Sequence, residues 1–325
     1  MKTRRLGAKG PEVSAIGLGC MGMTEVYGPA SEDEAIATIH AALDAGVTLI
    51  DTGDFYGMGL NEMLIGRALK GGRRDKAFIQ VKFGAQRDPS GAWIGYDARP
   101  AAVKNALAHT LHRLGVDDID LYMPARRDPG APLEDTVGAI ADMIKAGYIR
   151  HLGLSEVSPE TIRAANAVHP VTALQYELSV IERGVLDRQV PVLEEIGAGL
   201  TAYGVLSRGL LTGSGGQAVG DMRVHMPRFQ PENLARNRPL VEAFQAVAAD
   251  KGVTPAQLAI AWALAQGEHI VPLVGARTRK QLADSLAALD VALTGEDFAR
   301  IDAAIPPAAV AGGRYGEHQM RQVDL

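Results

Sequence analysis

Short apolar and β-branched runs alternate with amphipathic helical patterns along almost the whole chain. Eight units of a strand followed by a helix can be counted, and a helix separates each strand from the next. This order is typical of parallel pairing, and eight units are the number that closes a sheet into a (β/α)8 TIM barrel of the α/β class. The strands are expected at Val13 to Gly19, Thr48 to Thr52, Ala77 to Phe83, Ile119 to Met123, Ile149 to Leu154, Thr172 to Tyr176, Gly199 to Tyr203 and Ile270 to Val274.

The helices begin and end at recognisable signals. Ser31 is a preferred N-cap, and Glu34 three residues later completes the pattern of a capping box. Gly115 and Gly147 follow the ends of two other helical patterns, where glycine commonly stops a helix. The helices are expected at Ser31 to Ala45, Asn61 to Leu69, Pro100 to Leu114, Leu133 to Ala146, Pro159 to Val168, Leu186 to Ile196 and Arg279 to Leu289, with others ending near Gln266.

Four further segments lie outside the eight units. An N-terminal hairpin is expected before the barrel, and a large polar, glycine-rich loop from Thr212 to Asn233 follows the seventh strand. The segment Gly295 to Ile305 is predicted as an extra helix, and the tail from Pro306 to Leu325 is predicted to cover the barrel. No linker rich in Pro or Ser divides the chain, so residues 1–325 are expected to form a single domain.

Composition argues against several classes of function. The net charge of −5 gives no electrostatic reason to expect nucleic acid or an anionic membrane as a partner. No apolar run reaches the ~20 residues that a membrane span requires, and the basic N-terminus lacks the apolar core of a secretion signal. Cys20 is the only cysteine, which excludes an internal disulfide and a cysteine-based metal site. The sequence therefore predicts a cytoplasmic protein without a metal, and it gives no signal for an oligomeric state.

Three polar residues follow two successive predicted strands, and their combination indicates a catalytic site. They are Asp51 at the end of the second strand, Tyr56 shortly after it and Lys82 at the end of the third. A phenol with a pKa of ~10 donates a proton poorly at neutral pH until a nearby cation lowers that pKa. Lys82 would supply the cation and Asp51 would orient it, so Tyr56 is predicted to be the general acid of a carbonyl reduction. Taken singly, each residue also fits a turn cap, a loop tyrosine or a solvated lysine.

A dinucleotide-binding sheet is the competing interpretation of the N-terminal region. The run Gly17-Leu18-Gly19-Cys20-Met21-Gly22 matches G-x-G-x-x-G after a predicted strand, and Asp51 ends the next strand. In that fold the third glycine lies in the opening turn of the helix whose N-terminus binds the pyrophosphate. Here the segment Met23 to Ala30 separates Gly22 from the helix. The barrel is therefore the favoured fold.

Several motifs together resemble the aldo-keto reductase superfamily over nearly the full length, from Leu6 to Gln281. The chain is most similar to the bacterial and plant branch that includes YakC-like and auxin-induced-type reductases. The resemblance implies a (β/α)8 barrel that moves a hydride between NADP(H) and a carbonyl or alcohol. The matching motifs are Gly17-Leu18-Gly19-Cys20-Met21-Gly22, Asp51-Thr52-Gly53-Asp54-Phe55-Tyr56-Gly57, Val81-Lys82-Phe83-Gly84, Gly153-Leu154-Ser155-Glu156, Gln175-Tyr176-Glu177 and Gly275-Ala276-Arg277.

The resemblance also implies which residues bind the cofactor. Ser155 and Gln175 would bind the nicotinamide carboxamide, and Tyr203 would stack on the nicotinamide ring. A loop that includes Arg208 would run along the pyrophosphate, and Arg277 would reach the adenosine end. A guanidinium is the natural partner of a 2′-phosphate, which favours NADPH over NADH. The expected cofactor-binding residues are Gly22, Met23, Asp51, Ser155, Gln175, Tyr203, Leu206, Arg208, Leu211, Gly275, Arg277 and Gln281.

One departure from the family pattern concerns catalysis directly. Members usually carry a histidine after the fourth strand, and Ala125 occupies that position here. The histidine normally donates a hydrogen bond to the substrate oxygen, and the loss of such a contact can cost orders of magnitude in rate. His151 is expected deeper in its strand, and His112, His169 and His269 are expected at the opposite face, so none replaces it. A smaller departure is Glu156, where many members have Asn.

These residues predict a reductase with an unusual substrate pocket. The missing imidazole opens space beside Tyr56, so a bulky or cyclic ketone is expected as the substrate rather than a small aldehyde. An NADP(H)-sensing protein with weak turnover is the alternative, and Ala125 is the residue that favours it. A barrel with non-redox chemistry is disfavoured by Tyr56 and Lys82. The expected pocket residues are Tyr27, Phe55, Phe83, Trp93 and Ala125.

Overall fold

Eight parallel strands close into a barrel in which each strand pairs with the next along the chain and the last pairs with the first. The computed structural model describes residues 1–24, 27–28, 30–213 and 221–324. The prediction of a (β/α)8 barrel preceded by an N-terminal hairpin is confirmed. In chain order the strands are β1 (Thr3–Arg5), β2 (Glu12–Ser14), β3 (Gly17–Gly19), β4 (Leu49–Gly53), β5 (Phe78–Phe83), β6 (Ala85–Arg87), β7 (Trp93–Tyr96), β8 (Ile119–Pro124), β9 (Ile149–Ser155), β10 (Val171–Glu177), β11 (Gly199–Tyr203) and β12 (Ile270–Gly275). Strands β1–β2 and β6–β7 are the two hairpins, and the others form the barrel.

Helices between the barrel strands form the outer layer. The Ser31 side chain accepts a hydrogen bond from the Glu34 backbone N–H at 3.3 Å, so the predicted N-cap is present. Gly115 ends its helix in the left-handed conformation, with φ of 66°, as the sequence signal predicts. The helices are α1 (Glu32–Asp44), α2 (Leu60–Ala68), α3 (Pro100–Leu114), α4 (Leu133–Lys145), α5 (Pro159–Val168), α6 (Gly184–Arg188), α7 (Val190–Ile196), α8 (Pro231–Asp250), α9 (Pro255–Leu264), α10 (Arg279–Leu286), α11 (Gly295–Ala304) and α12 (Glu317–Met320).

The structure differs from the predicted elements at three places. The predicted strand Val13 to Gly19 is divided between β2 and β3, because the residues at its start pair with β1 instead of the barrel. The predicted helix Leu186 to Ile196 is split into α6 and α7, since Pro191 cannot continue a helix from the preceding turn. The β6–β7 hairpin is not predicted by the periodicity, because each of its strands is very short. In the predicted loop from Thr212 to Asn233, residues 214–220 lie outside the described residues.

Alternation along the strands decides which side chains face the barrel interior. In β5, Gln80 and Lys82 point inward, where both bind Asp51, whereas Val81 and Phe83 belong to the core beneath the helices. A separate cluster of apolar side chains fills the interior below these polar groups. The members from the barrel strands are Leu49, Leu121, Met123, Ala173, Val271 and Leu273, and the N-terminal hairpin adds Leu6 and Val13.

The C-terminal tail lies across the end of the barrel where the strands finish. The Asn237 side chain of α8 binds both the N–H and the carbonyl of Ala311, at 2.8 and 2.9 Å. Further along, Asp324 accepts a hydrogen bond from the Thr161 hydroxyl at 2.5 Å. These contacts hold the tail at both of its ends. Among the described residues, no helix has the length and apolarity needed to cross a bilayer.

Two helical glycines give a matched test of the packing between helices. A Cβ at Gly66 would lie 2.6 Å from the Leu114 carbonyl oxygen, whereas a Cβ at Gly138 meets nothing within 4 Å. Gly66→Ala should destabilise the fold by about 1–3 kcal/mol, because α2 must shift away from α3. Gly138→Ala should stabilise it by about 0.5–1 kcal/mol, because alanine restricts the unfolded chain. Urea unfolding of both variants measures the two effects, and equal shifts of the same sign would contradict this packing.

Candidate active site

A single carboxylate oxygen organises the polar centre of the barrel mouth. Asp51 Oδ1 accepts hydrogen bonds from Lys82 Nζ at 2.6 Å, from Gln80 Nε2 at 2.7 Å and from Gln175 Nε2 at 2.7 Å. Asp51 and Lys82 are only 5% and 4% exposed. A buried charge is tolerated only when it is paired and hydrogen-bonded, and these three donors satisfy that requirement. The arrangement fixes the position of the lysine ammonium.

Tyr56 lies above this pair in the turn that follows β4. The ammonium of Lys82 is 5.2 Å from the centroid of the Tyr56 ring. The turn is tightly bent, since Gly57, Met58 and Gly59 all have positive φ, of 55°, 52° and 93°. Positive φ in methionine is strained, and strain of this kind is often found at functional turns. The turn brings the tyrosine back over the end of its own strand.

Burial dominates the protonation of both catalytic candidates. It raises the pKa of Tyr56 well above 10, and the charge of Asp51 raises it further. Burial also lowers the pKa of Lys82, while Asp51 opposes that change. The sequence predicts that Lys82 lowers the pKa of Tyr56, but in this arrangement desolvation outweighs any such effect. Tyr56 therefore holds its proton at neutral pH, which is the state that a general acid requires.

Ala125 lies directly after β8, close to the level of Lys82. Its backbone N–H donates to the Phe83 carbonyl at 2.8 Å, and Lys82 pairs in register with Met123. Because Met123 points into the barrel, alternation points Ala125 into the mouth as well. In the described part of the chain, none of the eight histidines hydrogen-bonds or stacks with Tyr56, Lys82 or Asp51. His151 stacks on Phe78, at the opposite end of the barrel strands.

A second polar centre, built on two buried glutamates, lies beside the first. Glu177 receives two hydrogen bonds from Arg208, both at 2.9 Å, and Glu156 is paired with Arg314 at 2.6 Å. The Tyr203 hydroxyl donates to Glu156 at 2.7 Å. Each buried carboxylate thus has a guanidinium partner, which is the condition for keeping such a charge in the interior. The sequence assigned Tyr203 and Arg208 to the cofactor, and here both are held by these carboxylates.

The tail contributes Tyr315 to the same centre. Its hydroxyl is 2.6 Å from that of Tyr203. Its ring lies near three guanidiniums, with centroid distances of 5.8 Å to Arg126, 5.1 Å to Arg208 and 5.5 Å to Arg314. Such contacts stabilise cations over an aromatic face. The tail therefore forms part of the barrel mouth.

The expected cofactor residues lie along one side of the mouth. Ser155 ends β9 and is paired in register with Gln175. At the other end, Arg277 donates to the Tyr27 carbonyl at 3.2 Å, and its backbone N–H is bound by the Gln281 side chain at 2.8 Å. A Cβ at Gly275 would meet nothing within 4 Å, so the chain leaves open space between these two ends.

Several other expected cofactor residues are packed against their neighbours. Met23 and Leu211 are buried in the core, and Leu206 is half-buried. Gly22 lies against Tyr27 and Arg277, since a Cβ there would be 3.4 and 3.5 Å from their side chains. The side chains of Met23 and Leu211 therefore belong to the core.

The expected pocket residues separate into two groups. Phe55 packs edge-on against Tyr56 at 4.8 Å and against Trp93 at 5.9 Å, so these aromatics form one wall beside Tyr56. Phe83 is fully buried and stacks on Tyr122 at 4.4 Å, beneath the helices. The structure does not bring Phe83 to the site, because its strand position points away from the interior.

Comparisons with known proteins agree with this geometry. A family model described as the aldo/keto reductase family matches residues 15–306. The chain is also 41% identical over 317 residues to probable aldo-keto reductase 1 from Glycine max, covering 96% of this chain and 91% of that protein. The chain belongs to the aldo/keto reductase family. Aldo-keto reductases are NAD(P)-dependent oxidoreductases that act on carbonyl groups.

Two solved aldo-keto reductases share the whole architecture. The glycerol dehydrogenase AKR11B4 from Gluconobacter oxydans superposes with a TM-score of 0.83 at 30% identity, covering 93% of this chain and 94% of that one. The holo form of aldo-keto reductase AKR11C1 from Bacillus halodurans gives 0.78 at 25% identity, covering 98% and 99%. The resemblance predicted from the motifs is confirmed. Among the described residues, no cluster of His, Cys, Asp or Glu is suited to hold a metal ion.

The structure explains one departure from the common aldo-keto reductase pattern. Glu156 has a φ of 56°, in the left-handed region where Asn is much better tolerated than Glu. Its pairing with Arg314 offsets that strain by holding the carboxylate. Sequence reasoning missed Arg314, Tyr315 and Gln80. Gln80 could have been found, because it precedes Lys82 by two residues and so shares its face of the strand.

Asp54, within the catalytic turn, gives a pH-dependent test. Burial raises its pKa from 3.8 to about 7, against the hydrogen bond from the Gly84 backbone. Because the folded state binds this proton more tightly than the unfolded state, protonated Asp54 contributes to the free energy of unfolding. That contribution is full below pH 4 and is lost as the pH rises to about 7. The parent should therefore lose about 2 kcal/mol of its free energy of unfolding between pH 5 and pH 8, and Asp54→Asn should not show this loss. Urea unfolding of the parent and the variant at each pH checks this, and a difference that stays constant with pH would contradict it.

Proposed function

We propose that this chain is a single-domain, cytoplasmic NADPH-dependent reductase that converts a bulky or cyclic ketone to its alcohol. The observation that carries the proposal is the buried Asp51–Lys82 pair at 2.6 Å beneath the ring of Tyr56. Tyr56 donates a proton to the carbonyl oxygen, and the lysine ammonium stabilises the phenolate that remains. The solitary Cys20 supports the reducing compartment.

The residues at the mouth fit a nicotinamide dinucleotide. After β11 the chain turns through Ser207 and Arg208 with φ of 48° and 56°, and backbone strain in consecutive residues is a feature of ligand-binding loops. Ser155 and Gln175 would hold the carboxamide, Tyr203 the ring, and the loop with Arg208 the pyrophosphate. When bound, the cofactor supplies the hydride that reduces the carbonyl carbon.

The preference for NADPH rests on Arg277. Its guanidinium reaches Tyr27 beside the open space at Gly275, where the adenosine end would lie. A guanidinium forms paired, charge-assisted hydrogen bonds with a phosphate. Arg279, the next arginine, is already paired with Glu34 at 2.9 Å, so it is less suited to this role.

The substrate preference rests on Ala125. A methyl group stands where relatives usually carry an imidazole, and Phe55, Trp93 and Tyr27 supply apolar walls nearby. A pocket that is apolar and enlarged suits a hindered carbonyl with ring carbons to bury.

A binding protein that senses NADP(H) with weak turnover is the second candidate, and Ala125 is the observation that favours it. The two functions differ in one measurement. A reductase consumes NADPH continuously when ring ketones, diketones and aldehydes are offered, whereas a sensor binds the cofactor without consuming it.

Tyr56→Phe tests the catalytic assignment. The phenylalanine keeps the ring above Lys82 but removes the proton, so turnover should fall to background while NADPH affinity stays unchanged. Absorbance at 340 nm follows turnover, and quenching of protein fluorescence follows binding. Retention of most of the parent activity would mean that another group donates the proton.

Arg277→Ala tests the cofactor assignment. Loss of a charged hydrogen bond to the 2′-phosphate should weaken NADPH binding by about 1.5–3 kcal/mol and leave NADH binding nearly unchanged. Arg279→Ala is the matched control, because that guanidinium is paired with Glu34, and it should have a much smaller effect on either cofactor. The same fluorescence titration measures the affinities of the parent and of both variants for each cofactor. Equal affinity of the parent for NADPH and NADH would overturn the preference.

A further inference from the structure

Arg126 is a guanidinium at the barrel mouth that the proposed roles leave unused. It directly follows Ala125, the position without the usual imidazole. Its Nη1 donates to the Ala125 carbonyl at 2.7 Å, so the side chain folds back over the preceding residue instead of extending into solvent. Its Cζ lies 5.8 Å from the centroid of the Tyr315 ring. The positive charge is therefore held at the mouth, beside the vacant imidazole position.

The arginine differs from its neighbours in how its donors are used. Arg208, Arg228 and Arg314 each pair with a buried or half-buried glutamate. Within the described ranges, Arg126 has no carboxylate within 4.0 Å, and its hydrogen bond to Ala125 is its sole one to these residues. A guanidinium has five N–H donors, so most of those on Arg126 remain available.

The charge of Arg126 acts on the catalytic residues. The pKa of Tyr56 is raised chiefly by burial, and the positive charge of Arg126 is the influence that opposes this rise. The pKa of Lys82 is lowered chiefly by burial, and Arg126 adds to that decrease as a like charge. The geometric link is through Ala125, which carries the carbonyl that Arg126 binds and lies two residues after Met123, the register partner of Lys82.

We propose that Arg126 donates a hydrogen bond to the carbonyl oxygen of the substrate and stabilises the negative charge that develops there, in place of the missing histidine. This inference rests on the proposed reductase function. The carbonyl carbon receives the hydride, the oxygen takes the electron pair of the double bond and then the proton of Tyr56, and NADPH is left as NADP+. Tyr56 regains its proton from solvent. Because the donor comes from Arg126, the side chain at position 125 can stay small. The space that remains there suits the hindered ketone proposed above.

Arg126→Met and Arg127→Met form the matched pair that tests this proposal. Methionine keeps much of the arginine stem but removes the charge and every donor. Arg127 is adjacent and exposed, and its nearest carboxylate is Asp324 at 4.0 Å. Arg126→Met should lower kcat by about 100-fold, the cost of losing an oxyanion donor, with unchanged NADPH affinity. Arg127→Met should leave kcat and NADPH affinity as in the parent.

Two further measurements separate a catalytic role from a structural one. In Arg126→Ala, added guanidinium chloride at millimolar concentration should restore part of kcat, because the free cation can occupy the emptied site. Arg126→Lys should retain intermediate activity and a parental melting temperature, which keeps the test valid if the methionine variant folds poorly. In the Arg126→Met background, Ala125→His should recover turnover, because the imidazole returns a donor to the same oxygen.

The outcomes distinguish this inference from the function on which it rests. If the parent reduces ketones and Tyr56→Phe abolishes the reaction, but Arg126→Met retains parental kcat, the inference is overturned and the reductase function stands. A loss confined to NADPH affinity would overturn it in the same way. If the parent consumes no NADPH with any carbonyl, both fail.

Discussion

The Asp51 carboxylate is the constraint on which the rest of the site depends. One of its oxygens accepts three hydrogen bonds, from Lys82 on β5, Gln80 on the same strand and Gln175 on β10. Strand β5 pairs with β4, which carries Asp51, whereas β10 does not, so the carboxylate also links two strands that are apart in the barrel. A buried ion pair contributes little net stability, but removing one partner leaves an uncompensated charge at high cost. The pair therefore fixes geometry more than it stabilises the fold.

Lys82 and Tyr56 acquire their properties from that geometry. The lysine ammonium is held beneath the phenol ring, and burial keeps the phenol protonated at neutral pH. A protonated phenol and a fixed cation therefore lie next to each other at the mouth. Beside this centre, Glu156 and Glu177 are each paired with an arginine, so the buried charges there are compensated.

The sequence was sufficient for the barrel and for the residues at the ends of its strands. Asp51, Lys82, Ser155 and Gln175 could be placed at one face because parallel strands end together, and this follows from periodicity alone. The prediction that Phe83 lines the pocket was wrong. Successive side chains of a strand point to opposite faces, and this alternation directs Phe83 toward the helices, where it stacks on Tyr122.

The contacts of the tail could not be predicted. Arg314 and Glu156 are 158 residues apart, and no local pattern indicates which distant carboxylate a tail arginine will meet. The raised pKa of Tyr56 also depends on burial by loops from several parts of the chain. Periodicity specifies the scaffold, but the electrostatics of the mouth depend on how distant loops pack over it.

Transfer of deuterium from cofactor to product tests the central claim most directly. The protein is incubated with a cyclic ketone and NADPH deuterated at the transferable position of C4, and the alcohol is analysed by mass spectrometry and NMR. The account predicts one deuterium, located on the carbinol carbon, with the hydroxyl proton derived from solvent. Alcohol without deuterium at that carbon, or binding of the cofactor without any alcohol, would contradict it.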